Sequence, residues 1–304
     1  MFESILGNEP IKAYLQKAFL EGRLAQTLLF SGPDGVGKSL FAKELGVQLL
    51  KSMNSPDLHL LRPEGKSGLY SIDTLREMID RDHAAPFEAS GKVFILEDAE
   101  RMQPPSANAL LKTLEEPSSD TTFILISSNP REMLPTILSR CTVLTFQPLT
   151  EEMISSLLQT KGFPVRLAKL SHGSAGRAFE LAEHPEYEEH RRILFSLLAE
   201  KISYPERAVQ LAKLEELIEE GGEEDPVRAN RRVEHLFSSI LMWHRDQHLR
   251  KLAGSEELLF FPEEPRLEPV DLRRVEKAIE NARLAVQRNM KLSICLEHVL
   301  RTAS

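Results

Sequence analysis

The stretch Ser31-Gly32-Pro33-Asp34-Gly35-Val36-Gly37-Lys38-Ser39 constrains this chain most, because it demands a strand, a tight loop and a helix in immediate succession. It follows the apolar run Leu28-Leu29-Phe30 and leads into a helical pattern over Leu40–Ser52. From Gly32 to Ser39 it fits the phosphate-loop pattern Gly-x-x-x-x-Gly-Lys-Ser. In such a loop backbone N–H groups cradle phosphates, Lys38 reaches the outer phosphates and Ser39 reaches a Mg²⁺ ion. Gly32, Gly35, Gly37, Lys38 and Ser39 are thus the candidate residues for holding ATP with Mg²⁺. The motif by itself leaves open whether a nucleotide is hydrolysed, only held, or no longer bound.

Short β-prone runs recur through the first half: Leu28–Phe30, Leu58–Leu61, Val93–Leu96, Phe123–Ser127 and Val143–Phe146. Helical stretches such as Leu40–Ser52, Ile72–Arg81 and Ser106–Glu115 lie between them. Strands separated by helices predict a parallel sheet with helices on both faces. Several runs are continuously apolar rather than alternating, as strands buried on both faces are. After Pro148 the pattern turns helical, with Thr150 as N-cap ahead of Glu151 and Glu152. The spacings Ile193-Leu194-Leu197-Leu198 and Val233-Leu236-Phe237-Ile240-Leu241 are helical, and only Leu258–Phe261 hints at a strand. His184-Pro185 marks a break, while Gly221–Pro226 and the proline-rich stretch 262–269 read as loops.

At 304 residues, two or three domains are expected. The division read here is an α/β nucleotide domain over 1–148, a helical lid over 149–185 and an all-α domain over 186–304. No apolar run is long enough to cross a membrane, and the amino terminus lacks the basic start of a signal peptide. The two cysteines, Cys141 and Cys295, form no Cys-x-x-Cys, which argues against a zinc module and for a reducing cytoplasm. Net charge is −8, a poor basis for binding nucleic acid alone. Arginine groups at 191–192, 228/231/232 and 273–274 are interleaved with Glu and read as solvated helix faces.

Two further constellations bear on chemistry. Val93-Phe94-Ile95-Leu96 ends in Glu97-Asp98, where phosphate-loop proteins place acids beside the metal and the attacking water. A hydrolytic arrangement puts Asp first and Glu second; here the order is reversed, and the shorter Asp98 retracts its carboxylate. Catalytic acids and acids that merely end a strand both remain open. Ser127, with Ser128 and Asn129, ends another strand and could orient a water, or could simply form a turn.

Gly32–Ser39, Glu97-Asp98, Ala109-Leu110-Leu111-Lys112-Thr113-Leu114-Glu115-Glu116-Pro117 and Ser139-Arg140-Cys141 occur in that order. Together they resemble the AAA+ clamp-loader subunits of bacterial DNA polymerase III, most closely over residues 1–180. The resemblance implies an AAA+ domain, a lid and a helical collar for oligomerisation. Partners would be the tau/gamma and delta subunits, with the sliding clamp and primed DNA met through the assembled complex. Between the tau/gamma motor and the delta-prime stator, the length and Gly173-Ser174-Ala175-Gly176-Arg177 favour the stator. The motor's sensor arginine would align near Gly176, and Arg177, one residue later, points about 100° away. The resemblance further implies that Arg140 acts in trans as an arginine finger on a neighbour's nucleotide. The family's four zinc-binding cysteines are missing from residues 40–92, so no zinc is expected. A motor with its own ATPase and a nucleotide-free collar subunit remain the alternatives.

Overall fold

Five apolar runs become five strands: β1 (Thr27–Ser31), β2 (Leu58–Leu61), β3 (Lys92–Leu96), β4 (Thr121–Ser127) and β5 (Thr142–Thr145). All pair in parallel, in the order β2-β3-β4-β1-β5, so the strand before the phosphate loop lies inside the sheet. The period of two along each strand then splits the core. Leu28, Phe30, Val93, Ile95, Ile124 and Ile126 face α1 (Glu9–Leu20) and α2 (Lys38–Leu50). Leu29, Phe94, Leu96, Phe123 and Leu125 face α3 (Ile72–His83), α4 (Pro104–Glu115) and α5 (Pro135–Leu138). Both faces are covered, which is why these runs are continuous rather than alternating. This is the expected parallel α/β sheet with helices on both faces.

The computed structural model describes residues 1–63, 68–184, 186–199, 202–219, 226–252 and 258–302. They fall into two units, Met1–Ala182 and Glu183–Ser304. Helix starts follow local chemistry. Pro104 and Pro105 open α4, where their missing N–H groups cost nothing, and Ser71 caps α3 by accepting from Thr74 N–H at 3.0 Å. Helix α1, unassigned in the sequence analysis, buries Ile11, Leu15 and Ala18 along one stripe. Lys92 is buried at the start of β3, with its ammonium donating to Asp82 O (2.5 Å) and Ala84 O at the carboxyl end of α3.

Asp57, just before β2, organises the loop that leads into β3. Its carboxylate accepts N–H bonds from Phe87 (2.6 Å), Glu88 (2.9 Å) and Ala89 (2.8 Å). Burial alone would raise its pKa, but the three amide bonds outweigh it and hold the group below the usual Asp value. Asp57→Ala is expected to destabilise this unit by about 2–4 kcal/mol, since three amides lose a charged acceptor. Urea unfolding near neutral pH checks this, and a loss below about 0.5 kcal/mol would contradict it.

Helices α6 (Glu151–Thr160), α7 (Leu167–Leu170) and α8 (Ala175–Glu183) share a small core of Leu149, Ile154, Leu158, Leu167, Ala168 and Ala178. Thr150 caps α6 by accepting from Met153 N–H at 3.3 Å. The boundary between the two units falls within α8, so these helices group with the sheet.

The second unit is helical: α9 (Glu186–Ala199), α10 (Tyr204–Glu219), α11 (Pro226–Lys251), α12 (Leu272–Gln287) and α13 (Leu292–Thr302). Helix α9 packs on α10 and α11, and α13 packs on α10 and α12. Leu258–Phe261 forms no strand, because side chains of α11 take up its backbone groups. Asp246 accepts from Phe261 N–H at 2.8 Å, and Arg245 donates to Leu258 O at 3.2 Å. The stretch 262–269 is a loop, held partly by Gln247, which bonds Pro265 O and Leu267 N–H. Of the expected loop Gly221–Pro226, residues 221–225 lie outside the described residues, as does Pro185 of the expected break, and Pro226 instead opens α11. Arg232 departs from the solvated face expected of it. It is buried and bonds Ile218 O, a carboxyl-end carbonyl of α10, at 3.2 Å. No described helix is long and apolar enough to cross a membrane.

Candidate functional site

The phosphate loop emerges between two strand ends. Gly32 N–H donates to Ser127 O of β4 at 3.2 Å, and Phe146 N–H, just past β5, donates to Ser31 O at 2.7 Å. A side chain at Gly32 would meet Phe146 O at 2.5 Å, so the loop can pass only as glycine. Lys38 opens α2 and is 4 % exposed. Its ammonium donates to Gly32 O (2.6 Å) and Pro33 O (2.7 Å), which seats it under the loop. Burial pushes its pKa below the usual lysine value, while Asp34, Glu100 and Asp98 pull it back up. Ser39 follows it, half-buried, on the first turn of α2.

The acids at the end of β3 separate. Glu97 leans toward the β2 edge, where Arg62 Nε donates to its Oε2 at 2.6 Å. Asp98 takes a left-handed backbone conformation (φ 50°) that breaks the strand direction. Asp98 and Glu100 are the acids of this turn whose charge acts on Lys38. Glu100 was not singled out in the sequence, yet it joins β3 to β4. Its Oε1 accepts from Ser128 N–H (3.0 Å), Ser128 Oγ–H (2.6 Å) and Asn129 N–H (3.3 Å). Burial would raise its pKa, but these bonds keep it below the usual Glu value. The signal available beforehand was an acid three positions beyond Glu97, on the short 3₁₀ turn Ala99–Arg101. Ser127 is fully buried at the end of β4.

Helix α8 begins directly against the phosphate loop. Gly176 N–H donates to Gly35 O at 3.0 Å. A Cβ on Gly35 (φ 72°) would meet Ser174 Oγ at 2.2 Å, and one on Gly176 would meet Gly35 Cα at 3.0 Å. Ser174 caps the helix, its Oγ accepting from Arg177 N–H at 3.0 Å. The position read as the motor's sensor arginine is therefore a tight backbone-to-backbone contact, where a Cβ would need the loop or α8 to give by a few tenths of an ångström.

Arg140 stands apart from this cluster. Its Nη1 donates to Thr136 O of α5 at 2.9 Å and its Nη2 to Glu115 Oε2 at the end of α4 at 3.0 Å. Cys141 beside it bonds Ile137 O, and burial pushes its thiol up to about 12. Among the described residues no three His, Cys, Asp or Glu side chains gather as metal ligands.

Residues 46–150, running from within α2 through β5, match the family model "DNA polymerase III, delta subunit". Among curated proteins, DNA polymerase III subunit delta' of Bacillus subtilis is 33 % identical over 205 residues. That alignment covers 60 % of this chain and 61 % of the relative, so the chain spans about three fifths of its length. Subunit delta' of Pseudomonas aeruginosa is 36 % identical, over 38 % of this chain and 42 % of the relative. Subunit tau of Bacillus subtilis is 30 % identical, over 50 % of this chain and 30 % of the relative. The family match reaches neither the phosphate loop nor the second unit, and it includes Glu97, Asp98, Glu115 and Arg140.

Proposed function

We propose that this chain is a delta-prime-like stator subunit of a DNA polymerase III clamp loader. In this role it holds a nucleotide without turning it over efficiently and lends Arg140 to a neighbouring ATPase subunit. The observation that carries the stator reading is the Gly176–Gly35 contact. A glycine pressed on the phosphate loop supplies no cation to a γ-phosphate bound in this chain, whereas Arg140 sits on a different part of the domain beside Glu115. The acids argue the same way: Arg62 takes Glu97, and the acid after it is the shorter Asp98, whose retracted carboxylate suits a base poorly.

ATP with Mg²⁺ is the ligand the loop fits. Lys38 and the first turn of α2 would meet the phosphates. The Ser39 hydroxyl, with carboxylate oxygens of Asp98 or Glu100, is the hard-oxygen set that Mg²⁺ takes. The helical second unit would serve as the collar that holds the assembly, with the lid and AAA+ domain preceding it. With a net charge of −8, the isolated chain should meet primed DNA and the sliding clamp only through partners.

Mixing the purified chain with a tau/gamma-type and a delta-type subunit tests this reading. The expected result is a stable complex containing all three by light scattering. Alone, the chain should show negligible ATPase and bind DNA no tighter than the micromolar range at physiological salt. A chain that stays monomeric in the mixture, or that hydrolyses ATP rapidly alone, would refute the stator assignment.

A further inference from the structure

The ion pair beneath Arg140 has no evident purpose in stability. The Arg140 side chain is 28 % exposed and that of Glu115 is 58 % exposed, and surface pairs of this kind add little to folding. The two residues lie on different elements, at the end of α4 and just past α5, so the contact is not a by-product of one helix's spacing. Thr136 O fixes Nη1 from one side while Glu115 fixes Nη2 from the other. The planar guanidinium has further N–H donors beyond these two anchors. An unheld arginine loses rotamer freedom when it engages an anion, and a held one has already lost it.

We propose that Glu115 is the positioning residue for Arg140, holding its guanidinium in the orientation that meets a neighbouring subunit's nucleotide. This rests on the stator reading above. In it Glu115 does not touch the nucleotide; it sets where the cation is, so that no side-chain search remains when the interface closes. The anchor acts on the transition state rather than on ground-state nucleotide binding, because a finger out of place costs turnover more than affinity.

The test uses the full chain assembled with its ATPase and delta-type partners, comparing wild type with Glu115→Ala, Glu115→Gln, Arg140→Ala and the double variant. Glu115→Ala should lose at least half of the turnover that Arg140→Ala loses, with the KM for ATP unchanged within about twofold. Glu115→Gln keeps an acceptor without the charge and should fall between wild type and Glu115→Ala. The double variant should be no worse than Arg140→Ala alone, as expected of residues acting as a unit. Thermal midpoints should shift by less than about 2 °C. Glu115→Ala with wild-type turnover, or with increased turnover, while Arg140→Ala is impaired would overturn the role of Glu115 and leave the stator reading standing. A silent Arg140→Ala would overturn both.

Discussion

Arg140→Ala is expected to cut the DNA- and clamp-stimulated ATPase of the assembled complex, while Lys38→Ala leaves it nearly unchanged. The two positive charges sit in one structural unit, and on the stator reading they answer to different nucleotides. Lys38 is seated on Gly32 O and Pro33 O of its own phosphate loop, so its removal can affect only a nucleotide bound in this chain. Arg140 is held by Thr136 and Glu115 rather than by loop residues, and its side chain is 28 % exposed. An arginine supplied in trans is worth ~10³–10⁵ in rate at the site it serves, so the complex should lose most of the share turned over at that interface. If Arg140 instead only ties α4 to α5, its loss would lower stability slightly and leave turnover intact once assembly is matched. Steady-state ATPase of both variants, read beside thermal midpoints and complex yield, separates these cases. A large loss from Lys38→Ala with Arg140→Ala silent would make the chain a motor.

Acid should weaken the second unit through His244. This side chain is 1 % exposed on α11, and neither ring nitrogen has a hydrogen-bond partner among the described residues. Burial and the nearby His248 lower its pKa from 6.5 to about 4. The folded chain therefore keeps His244 neutral down to about pH 4, whereas the unfolded chain takes up the proton near pH 6.5. Above that window neither state binds the proton, so the penalty is absent. As pH falls through it the unfolded state is favoured, by about 1.4 kcal/mol per unit and about 3 kcal/mol in all. His190, also buried and lowered chiefly by desolvation, acts in the same direction. Urea unfolding followed by the single tryptophan reports on this unit, since the Trp243 ring lies 4.9 Å from that of His244. Between about pH 7 and about pH 5 the wild type should lose roughly 2 kcal/mol more stability than His244→Leu. Equal losses in the two proteins would remove His244 from the account.

The strands and the phosphate loop were legible because their signals are local. Leu28–Phe30, Val93–Leu96 and Phe123–Ser127 are continuous apolar runs bounded by turn residues, and each lies within a buried strand. Helix α1 carried the same quality of signal, with Ile11, Leu15 and Ala18 on one stripe behind a proline start. The pair Glu97-Asp98 was legible as two acids at a strand end, but not as acids with different partners. Arg62, just past the neighbouring strand, takes Glu97, and the left-handed turn at Asp98 sends the chain on toward Glu100. Leu258–Phe261 looked like a strand because apolar content alone cannot say where backbone hydrogen bonds go.

The sequence by itself determined the parallel α/β sheet, the strand-loop-helix around Gly32–Ser39 and the helical character of the described elements beyond Pro148. Each follows from interactions within a few residues: side-chain alternation, glycine where no side chain fits, and caps at helix starts. Only the tertiary structure decided which groups each charge touches. Gly176 presses on Gly35 from 141 positions away, and Glu115 holds Arg140 from 25 positions away. Such contacts depend on how finished elements pack, a geometry set by the whole core of each unit rather than by the residues that flank either partner.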